Sequence, residues 1–256
     1  MNNGAAAPLC FWRTGRHVID LARPRVMGIV NATPDSFSDG GRDTAAAIAH
    51  LERLVRDGAE IVDIGGESTR PGSAPPGTAT ELARVLPVVQ HAVGLGVPVS
   101  VDTSDPQVMQ AALDAGADII NDVRALTRSG ALGVLASHAS AGVCLMHLRG
   151  EPASMLDHAR YIDVVAEVGH ELGLRLEAAL QAGIAAERIV LDPGIGFAKG
   201  APHNLELLAR QRELLALGRP LMVGWSRKST LGKVTGRGVA ERLPASVAAA
   251  VIALER

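Results

Sequence analysis

The chain has 256 residues and a formal net charge of −2 at pH 7, which fits one large α/β domain or two small ones with a substantial core. This charge gives no support for nucleic acid or a membrane surface as a partner. Two cysteines, Cys10 and Cys144, make no disulfide framework. The N-terminus lacks the basic region of a signal peptide, and the longest mainly apolar run, residues 245–254, is about half of a membrane span. We therefore expect a soluble, cytoplasmic protein.

The first predicted element is a short β-hairpin at residues 11–24. The stretch from Phe11 to Leu21 alternates loosely around Gly15, and Pro24 ends the pattern. We expect the hairpin to cover the bottom of the main domain at residues 26–256, with residues 1–256 forming a single domain.

A strand–loop–helix unit recurs after the hairpin. Each unit starts with a short run of Val, Ile and Leu, and its helical pattern is usually closed by glycine. Most of the runs are near-continuous, which is typical of strands buried on both faces. The predicted strands are residues 26–31, 60–63, 97–102, 118–121, 142–147, 188–192 and 220–224. The predicted helices are residues 44–56, 80–93, 106–115, 162–182, 204–216 and 246–256.

This alternation predicts parallel strands joined by right-handed crossovers. Seven such strands over this length favour a (β/α)₈ TIM barrel, which takes about 250 residues. The alternative is an open doubly wound sheet, but its usual GxGxxG motif is absent after the first strand. The count is one unit short, because the predicted helix 246–256 follows the seventh strand. We expect either a barrel that lacks its eighth β/α unit through truncation or a seam that another element closes.

Polar side chains stand where the predicted strands end. In a barrel these carboxyl ends build the active site, and buried carboxylates and carboxamides are costly unless satisfied. Six or seven of them together therefore indicate a ligand site rather than fold maintenance. The strand-end residues are Asn31, Asp63, Asp102, Asn121, His147, Asp192 and Ser226.

Several of these groups suit a flat, nitrogen-rich heterocycle. Asp102, Asn121 and Asp192 can pair with the N–H donors and ring acceptors of a pterin or purine edge. Lys228, just past the seventh strand, can donate to a ring carbonyl or an anion. Asn31 can ligate Mg²⁺ through its carbonyl oxygen, although a satisfied buried Asn is the better interpretation from sequence alone.

Two glycine-rich loops follow the second and sixth strands. Residues 65–72 combine glycine, hydroxyls and Arg70, so they can face an anion; an ordinary flexible loop is the alternative. Residues 192–200 have glycines spaced GxGxxxG, a poor match to a dinucleotide fingerprint, which we reject.

His147 is a wall residue or a catalyst, and Cys144 is a small core residue.

Seven motifs, in the same order and spacing, resemble those of the dihydropteroate synthases. They are MGIVNATPDSFSDGG, GAEIVDIGGESTRPG, SVDT at 100–103, IINDV at 119–123, MH at 146–147, LDPGIGFAKG and SRKS at 226–229. The resemblance covers about residues 11–256. It implies a (β/α)₈ barrel and a transferase that joins p-aminobenzoate to 6-hydroxymethyl-7,8-dihydropterin pyrophosphate with Mg²⁺. Sulfonamides block this step of folate biosynthesis as p-aminobenzoate mimics, and the family is commonly dimeric.

The resemblance also implies roles for single residues. Asn31 would meet Mg²⁺, and Thr69 would contact the pterin substrate near its pyrophosphate. The pterin would be held by Asp102, Asn121, Asp192 and Lys228, of which Asp192 and Lys228 are the candidate catalytic residues. The p-aminobenzoate pocket would be framed by Thr33, Pro34, Phe37, Arg70, Pro71 and Ser229.

An eighth strand in the family carries an Arg-x-His pair that helps to bind pyrophosphate, and nothing in this sequence matches it. We therefore hypothesise a truncated copy or a domain fragment. One alternative function is a related pterin-binding barrel, such as a methyltetrahydrofolate methyltransferase domain, although the TPDSFSDGG and SRKS motifs favour the synthase. Another is a catalytically weak or inactive pterin binder. The polar strand ends disfavour a purely structural role.

Overall fold

A computed structural model describes residues 10–32, 40–67 and 76–256. Within these ranges β1 and β2 pair antiparallel, with Phe11 opposite Asp20 and Thr14 opposite His17. This pairing confirms the predicted hairpin. The strands are β1 Phe11–Thr14, β2 His17–Asp20, β3 Met27–Asn31, β4 Ile61–Gly65, β5 Val99–Asp102, β6 Ile119–Asp122, β7 Gly142–Met146 and β8 Ile189–Asp192.

Helices separate the strands of the main sheet. In the described part of the chain they are α1 Gly40–Arg56, α2 Thr78–Ala92, α3 Pro106–Asp114, α4 Ala131–Ser137, α5 Val164–Gln181, α6 Ala201–Arg210, α7 Ser229–Thr235 and α8 Leu243–Glu255. No helix among them is both long and apolar enough to cross a membrane.

Several helices differ from the sequence prediction, and α1 and α8 begin four and three residues earlier than predicted, at Gly40 and Leu243. α4 and α7 are not predicted, because each has seven residues, too few for a periodic apolar pattern. The predicted helix 204–216 is wrong in its bounds. α6 starts at Ala201, with a proline in its first turn, and the chain tightens into 3₁₀ turns at Gln211–Leu217 before Gly218.

The main sheet is parallel, and its strands follow chain order from β3 to β8. A doubly wound sheet reverses direction at a switch point, whereas a (β/α)₈ barrel adds each strand beside the preceding one. The order therefore confirms the barrel class and excludes the doubly wound alternative.

The predicted seventh strand, residues 220–224, is wrong as a full strand. Leu221 makes one isolated parallel bridge with Leu191, supported by hydrogen bonds from Leu191 N to the Pro220 carbonyl and from Met222 N to the Leu191 carbonyl. Within the described residues no strand pairs on the far side of this segment, so its ladder stays short. The lack of an eighth unit stays a prediction.

The hairpin packs against the interior of the sheet. Trp12 and Ile19 form one buried cluster with inward-facing strand residues, and Trp12 Nε1 donates to the Arg188 carbonyl at 2.8 Å. The strand residues in this cluster are Ile61, Ile119, Cys144 and Val190. The hairpin therefore covers the end away from the polar strand termini, as predicted, and Cys144 is a core residue.

Candidate active site

Three polar residues meet at the carboxyl edge of the sheet. Asp102 ends β5 and lies opposite Asn121 of β6 in the register. Asp192 ends β8 and lies opposite Met146 of β7. Because these strands are parallel and ordered, the structure brings the predicted pterin-facing residues to one end of the fold.

Asp63 orients Asn121 from below. The buried Asp63 carboxylate accepts hydrogen bonds from Ser100 Oγ at 2.6 Å and from Asn121 Nδ2 at 3.0 Å. Since the Asn121 amide nitrogen donates to Asp63, the amide oxygen is left as an acceptor for a ligand. The sequence places Asp63 at a strand end, but β4 continues to Gly65, so Asp63 supports the site from within the strand.

Asp102 lies among other acidic groups. Burial raises its pKa well above the usual range, and the charges of Asp63, Glu67 and Asp122 raise it further. The ionised form of the Asp102 carboxyl is therefore costly among these groups. A ligand that brings N–H donors or positive charge to Asp102 gains a strong interaction.

Asp192 and Lys228 form the second half of the pocket. Gly194 N donates to Asp192 Oδ1 at 2.7 Å. Burial raises the pKa of Asp192 to about 6, and this hydrogen bond and the positive charges of Lys228 and Lys199 oppose the rise. Burial lowers the pKa of Lys228, whose ammonium interacts with Asp192 and Asp102. Opposite charges therefore share a desolvated region, as polar recognition of a small ligand requires.

The glycine spacing of the loop at residues 193–200 reflects close packing. Gly194 has φ +69°, and a Cβ there would lie 2.1 Å from the His147 carbonyl oxygen. A Cβ on Gly196 would lie 3.2 Å from the Lys228 side chain. A side chain at Gly194 would push the loop away from the site, whereas one at Gly196, where φ is +82°, would strain the backbone and displace the Lys228 side chain slightly.

His147 is buried and hydrogen-bonded on both ring nitrogens. Its Nε2 lies 3.0 Å from Glu171 of α5, and its Nδ1 lies 2.8 Å from Lys199 Nζ. It thus lies behind the pocket wall. Sequence reasoning missed Lys199, although its signal was present: the chain has 25 Lys and Arg residues, of which three are lysines, and two of these lie beside Asp192.

A buried ion pair supports the β4 and β6 ends, and sequence reasoning missed it. Arg124 Nη2 lies 3.1 Å from Glu67 Oε1, with both side chains almost fully buried. Arg124 also donates to Ser104 Oγ at 3.0 Å and to the exposed Glu151 at 2.8 Å. Its backbone N–H donates to Asp122 at 2.8 Å. This cluster fixes the loop that leaves β6 just after Asn121.

Asn31 ends β3 opposite Gly65 and is exposed. The interpretation as a satisfied buried residue is therefore wrong, because β3 is an edge strand in the described sheet. No group of three or more His, Cys, Asp or Glu residues in the described ranges can hold a metal ion.

Ser229 begins α7 next to Lys228 and is also exposed. The candidates outside the described residues are Thr33, Pro34, Phe37, Thr69, Arg70 and Pro71.

Comparisons with known proteins agree with this architecture and site. A model of the family described as pterin binding enzyme matches residues 27–256. The dihydropteroate synthase of Neisseria meningitidis serogroup B is 49% identical over 253 residues, which cover 96% of this chain and 89% of that protein.

Solved structures give the same result. A Xanthomonas albilineans dihydropteroate synthase with 4-aminobenzoic acid has a TM-score of 0.87 and 48% identity, covering 93% of this chain and 86% of the other. A structure of the X. albilineans enzyme with 7,8-dihydropteroate has a TM-score of 0.85 and 45% identity, covering 94% and 87%. The fold and the site therefore define a pterin-binding barrel enzyme. Within that class, the chain belongs to the dihydropteroate synthase family.

Proposed function

We propose that this protein is a transferase of folate biosynthesis. It condenses 6-hydroxymethyl-7,8-dihydropterin pyrophosphate with p-aminobenzoate, forming 7,8-dihydropteroate and releasing pyrophosphate. The observation that carries the proposal is the convergence of Asp102, Asn121, Asp192 and Lys228 at the carboxyl end of the sheet. Dihydropteroate synthases with high identity over nearly the whole chain support it.

The four groups have complementary roles toward a pterin. The carboxylates of Asp102 and Asp192 accept from ring and exocyclic N–H donors, and the Asn121 oxygen accepts another. The Lys228 ammonium donates to the ring carbonyl. This pattern rejects a ligand without that donor set, because the buried polar groups would stay unpaired.

Bond cleavage precedes bond formation in the mechanism we propose. The electron pair of the C–O bond leaves with the pyrophosphate, and the electron-rich dihydropterin ring stabilises the resulting methylene cation. The arylamine nitrogen of p-aminobenzoate then forms the C–N bond and loses a proton to solvent. Asp192, as a carboxylate beside the ring, stabilises the developing positive charge. No protein nucleophile is required, so the lack of a catalytic triad motif in the sequence is compatible with this chemistry.

We propose that Mg²⁺ accompanies the pyrophosphate, with Thr69 near the same phosphates. Asn31 offers one carboxamide oxygen, and a hard cation held mainly by water and substrate phosphates suits such a sparse protein donor set. When bound, the ion would neutralise charge on the leaving group. Asn31 would orient the ion at the edge of the pocket.

The p-aminobenzoate subsite is proposed beside α7, on the basis of the family resemblance. The exposed hydroxyl of Ser229 follows Lys228 directly, so an arylamine held there would lie next to the pterin. Sulfonamides would compete at this subsite as p-aminobenzoate mimics. The other proposed contacts are Thr33, Pro34, Phe37, Arg70 and Pro71.

We also propose a homodimer that works in the cytoplasm. α8 exposes Leu243, Val247, Val251 and Leu254 at helical spacing, and an apolar stripe of this kind supports association with another copy. Light scattering tests it: a mass near twice 26.5 kDa is expected, and a monomer at all concentrations would contradict the dimer.

Pyrophosphate release tests the activity. With both substrates and Mg²⁺, the wild-type protein should release pyrophosphate, and Asp192→Ala should lower the rate about a hundredfold or more. Asp57→Ala, which changes an exposed carboxylate next to α1, is the matched control and should retain the rate. Pterin binding without any release by the wild type would indicate a non-catalytic pterin binder instead.

A further inference from the structure

Lys199 ties the loop at residues 193–200 to the end of β7. Its buried Nζ lies 2.8 Å from His147 Nδ1, 2.9 Å from the Phe197 carbonyl oxygen and 3.2 Å from the Gly194 carbonyl oxygen. An ammonium has three N–H donors, so these three acceptors satisfy it, and the His147 carbonyl oxygen lies farther away at 3.4 Å. One side chain therefore holds two points of the loop against the neighbouring strand.

The two loop residues that Lys199 holds also contact the pterin-facing groups. Gly194 N donates to Asp192 Oδ1 at 2.7 Å. The Phe197 ring centroid lies 4.5 Å from Lys228 Nζ. Asp192 and Lys228 are therefore both positioned by a loop whose carbonyls Lys199 binds, and a shift of the loop would displace them together.

Hydrogen bonds to Lys199 of the loop and to Glu171 of α5 fix the protonation state of the His147 ring. Because Nδ1 accepts from the Lys199 ammonium, the imidazole carries its proton on Nε2 and donates it to Glu171. Burial lowers the pKa of His147, which agrees with a neutral ring. Arg149 pairs with the same Glu171 carboxylate, so the chain of contacts reaches a partly exposed ion pair behind the pocket.

Charges on both sides act on Lys199. Burial lowers its pKa to about 7, while the carboxylates of Asp192 and Glu171 raise it, and Arg149 and Lys228 lower it. The ammonium form is the one that can donate to all three acceptors. A ligand that binds beside Asp192 would therefore change the electrostatic environment of the Lys199 ammonium.

We propose that Lys199 is a positioning residue for the pterin substrate, which locks the loop at residues 193–200 onto His147 and thereby places Asp192 and Lys228. The proposal deepens the proposed function and rests on it. A lysine meets the geometric need, because its ammonium directs three donors to three acceptors, whereas the planar guanidinium of arginine can reach only some of them.

Kinetics of Lys199→Met and Lys199→Arg test the proposal. Lys199→Met keeps the side-chain length but removes the donors, so kcat/KM for the dihydropterin pyrophosphate should fall roughly ten- to a hundredfold. The KM for p-aminobenzoate should stay within about twofold, and Lys199→Arg should recover part of the loss. The control is Lys233→Met at the exposed lysine of α7, which should match the wild type.

The possible failures are distinguishable. A folded Lys199→Met with wild-type kcat/KM for the pterin substrate would overturn the positioning role. Equal losses for both substrates, without rescue by arginine, would also overturn it. An inactive wild-type protein would instead refute the proposed function.

A spectroscopic readout on the wild-type protein does not require a Lys199 variant to fold. With three lysines in the sequence, ¹³Cε-lysine labelling gives three side-chain signals, and Lys228→Met and Lys233→Met assign two by loss. Added 6-hydroxymethyl-7,8-dihydropterin should shift the remaining Lys199 signal, whereas p-aminobenzoate alone should not. A fixed Lys199 signal while that of Lys228 moves would contradict the proposal.

Discussion

Asn121 donates its side-chain amide to Asp63 across 3.0 Å, and this one bond decides what Asn121 offers a ligand. The second Asp63 oxygen accepts from Ser100, so Asp63 has one acceptor for each donor. An uncharged carboxamide at position 63 could not accept both bonds through separate oxygens. Asp63, which lies behind Asn121, therefore decides whether Asn121 presents an acceptor or a donor to the ligand.

Asp63→Asn should reverse the amide of Asn121. The Asn121 oxygen would then turn toward the amide nitrogen introduced at position 63, and a donor would face the pterin instead of an acceptor. We expect pterin affinity to fall about tenfold, equivalent to about 1.4 kcal/mol, measured by calorimetry. Ser100→Ala is the control, since it removes the other bond but leaves Asn121 oriented. Equal affinities for Asp63→Asn and the wild type would contradict the orienting role.

The pH profile should report the ionisation of Asp192. Burial raises the pKa of this carboxyl to about 6, so the accepting carboxylate form predominates above pH 6 and is lost as the pH falls through that value. We expect kcat/KM for the pterin substrate to decline below pH 6. Asp192→Asn should be slower throughout and lack this acidic limb. If the acidic limb of the pH profile were unchanged in that variant, the ionisation of another group would cause it.

The Arg124–Glu67 pair should matter for stability. Removal of Arg124 leaves the Glu67 carboxylate buried without its partner, so Arg124→Met should lower the free energy of unfolding by about 3–5 kcal/mol. Urea denaturation measures this. The exposed pair Arg23–Glu60 supplies the control, and Arg23→Met should cost less than about 1 kcal/mol.

A double variant separates the unpaired charge from lost packing. Glu67→Gln combined with Arg124→Met should recover part of the loss, because the remaining group is then neutral. A double variant less stable than Arg124→Met alone would show that Glu67 has another buried partner of its own.

The hairpin should contribute to the stability of the fold but not to catalysis. Trp12 is 3% exposed and lies at the end of the sheet away from Asp192. Trp12→Phe removes the bond to the Arg188 carbonyl and should cost about 1–2 kcal/mol, while Trp12→Ala should cost about 3–5 kcal/mol. Thermal unfolding measures both. At temperatures where the variants stay folded, kcat/KM should match the wild type, and a specific kinetic loss would show that the hairpin reaches the site.

Local sequence signals predict much of the fold. Apolar runs such as the one ending at Asp192 mark buried parallel strands, and Asp, Ser or Gly at helix ends mark most boundaries. Residues 220–224 have the same kind of run but form one bridge, because a strand ladder depends on a partner that the run itself does not encode. α4 and α7 escape prediction because seven residues span only about two turns.

The residues of the site also fall into those that the sequence predicts and those that it does not. Asp102, Asn121 and Asp192 are predictable because each polar residue interrupts an apolar run at a strand end. Arg124 is not, and the rarity of lysine is the one sequence signal for Lys199, because the importance of both comes from burial and from partners distant in sequence, such as Glu67 and His147. Such contacts are tertiary, and no local pattern announces them.

The proposed condensation is best tested by mass-spectrometric detection of 7,8-dihydropteroate alongside pyrophosphate, with the wild-type protein, dihydropterin pyrophosphate, p-aminobenzoate and Mg²⁺. We expect both products to form in equal amounts and only when both organic substrates are present. Pyrophosphate without dihydropteroate, or tight pterin binding with neither product, would contradict it.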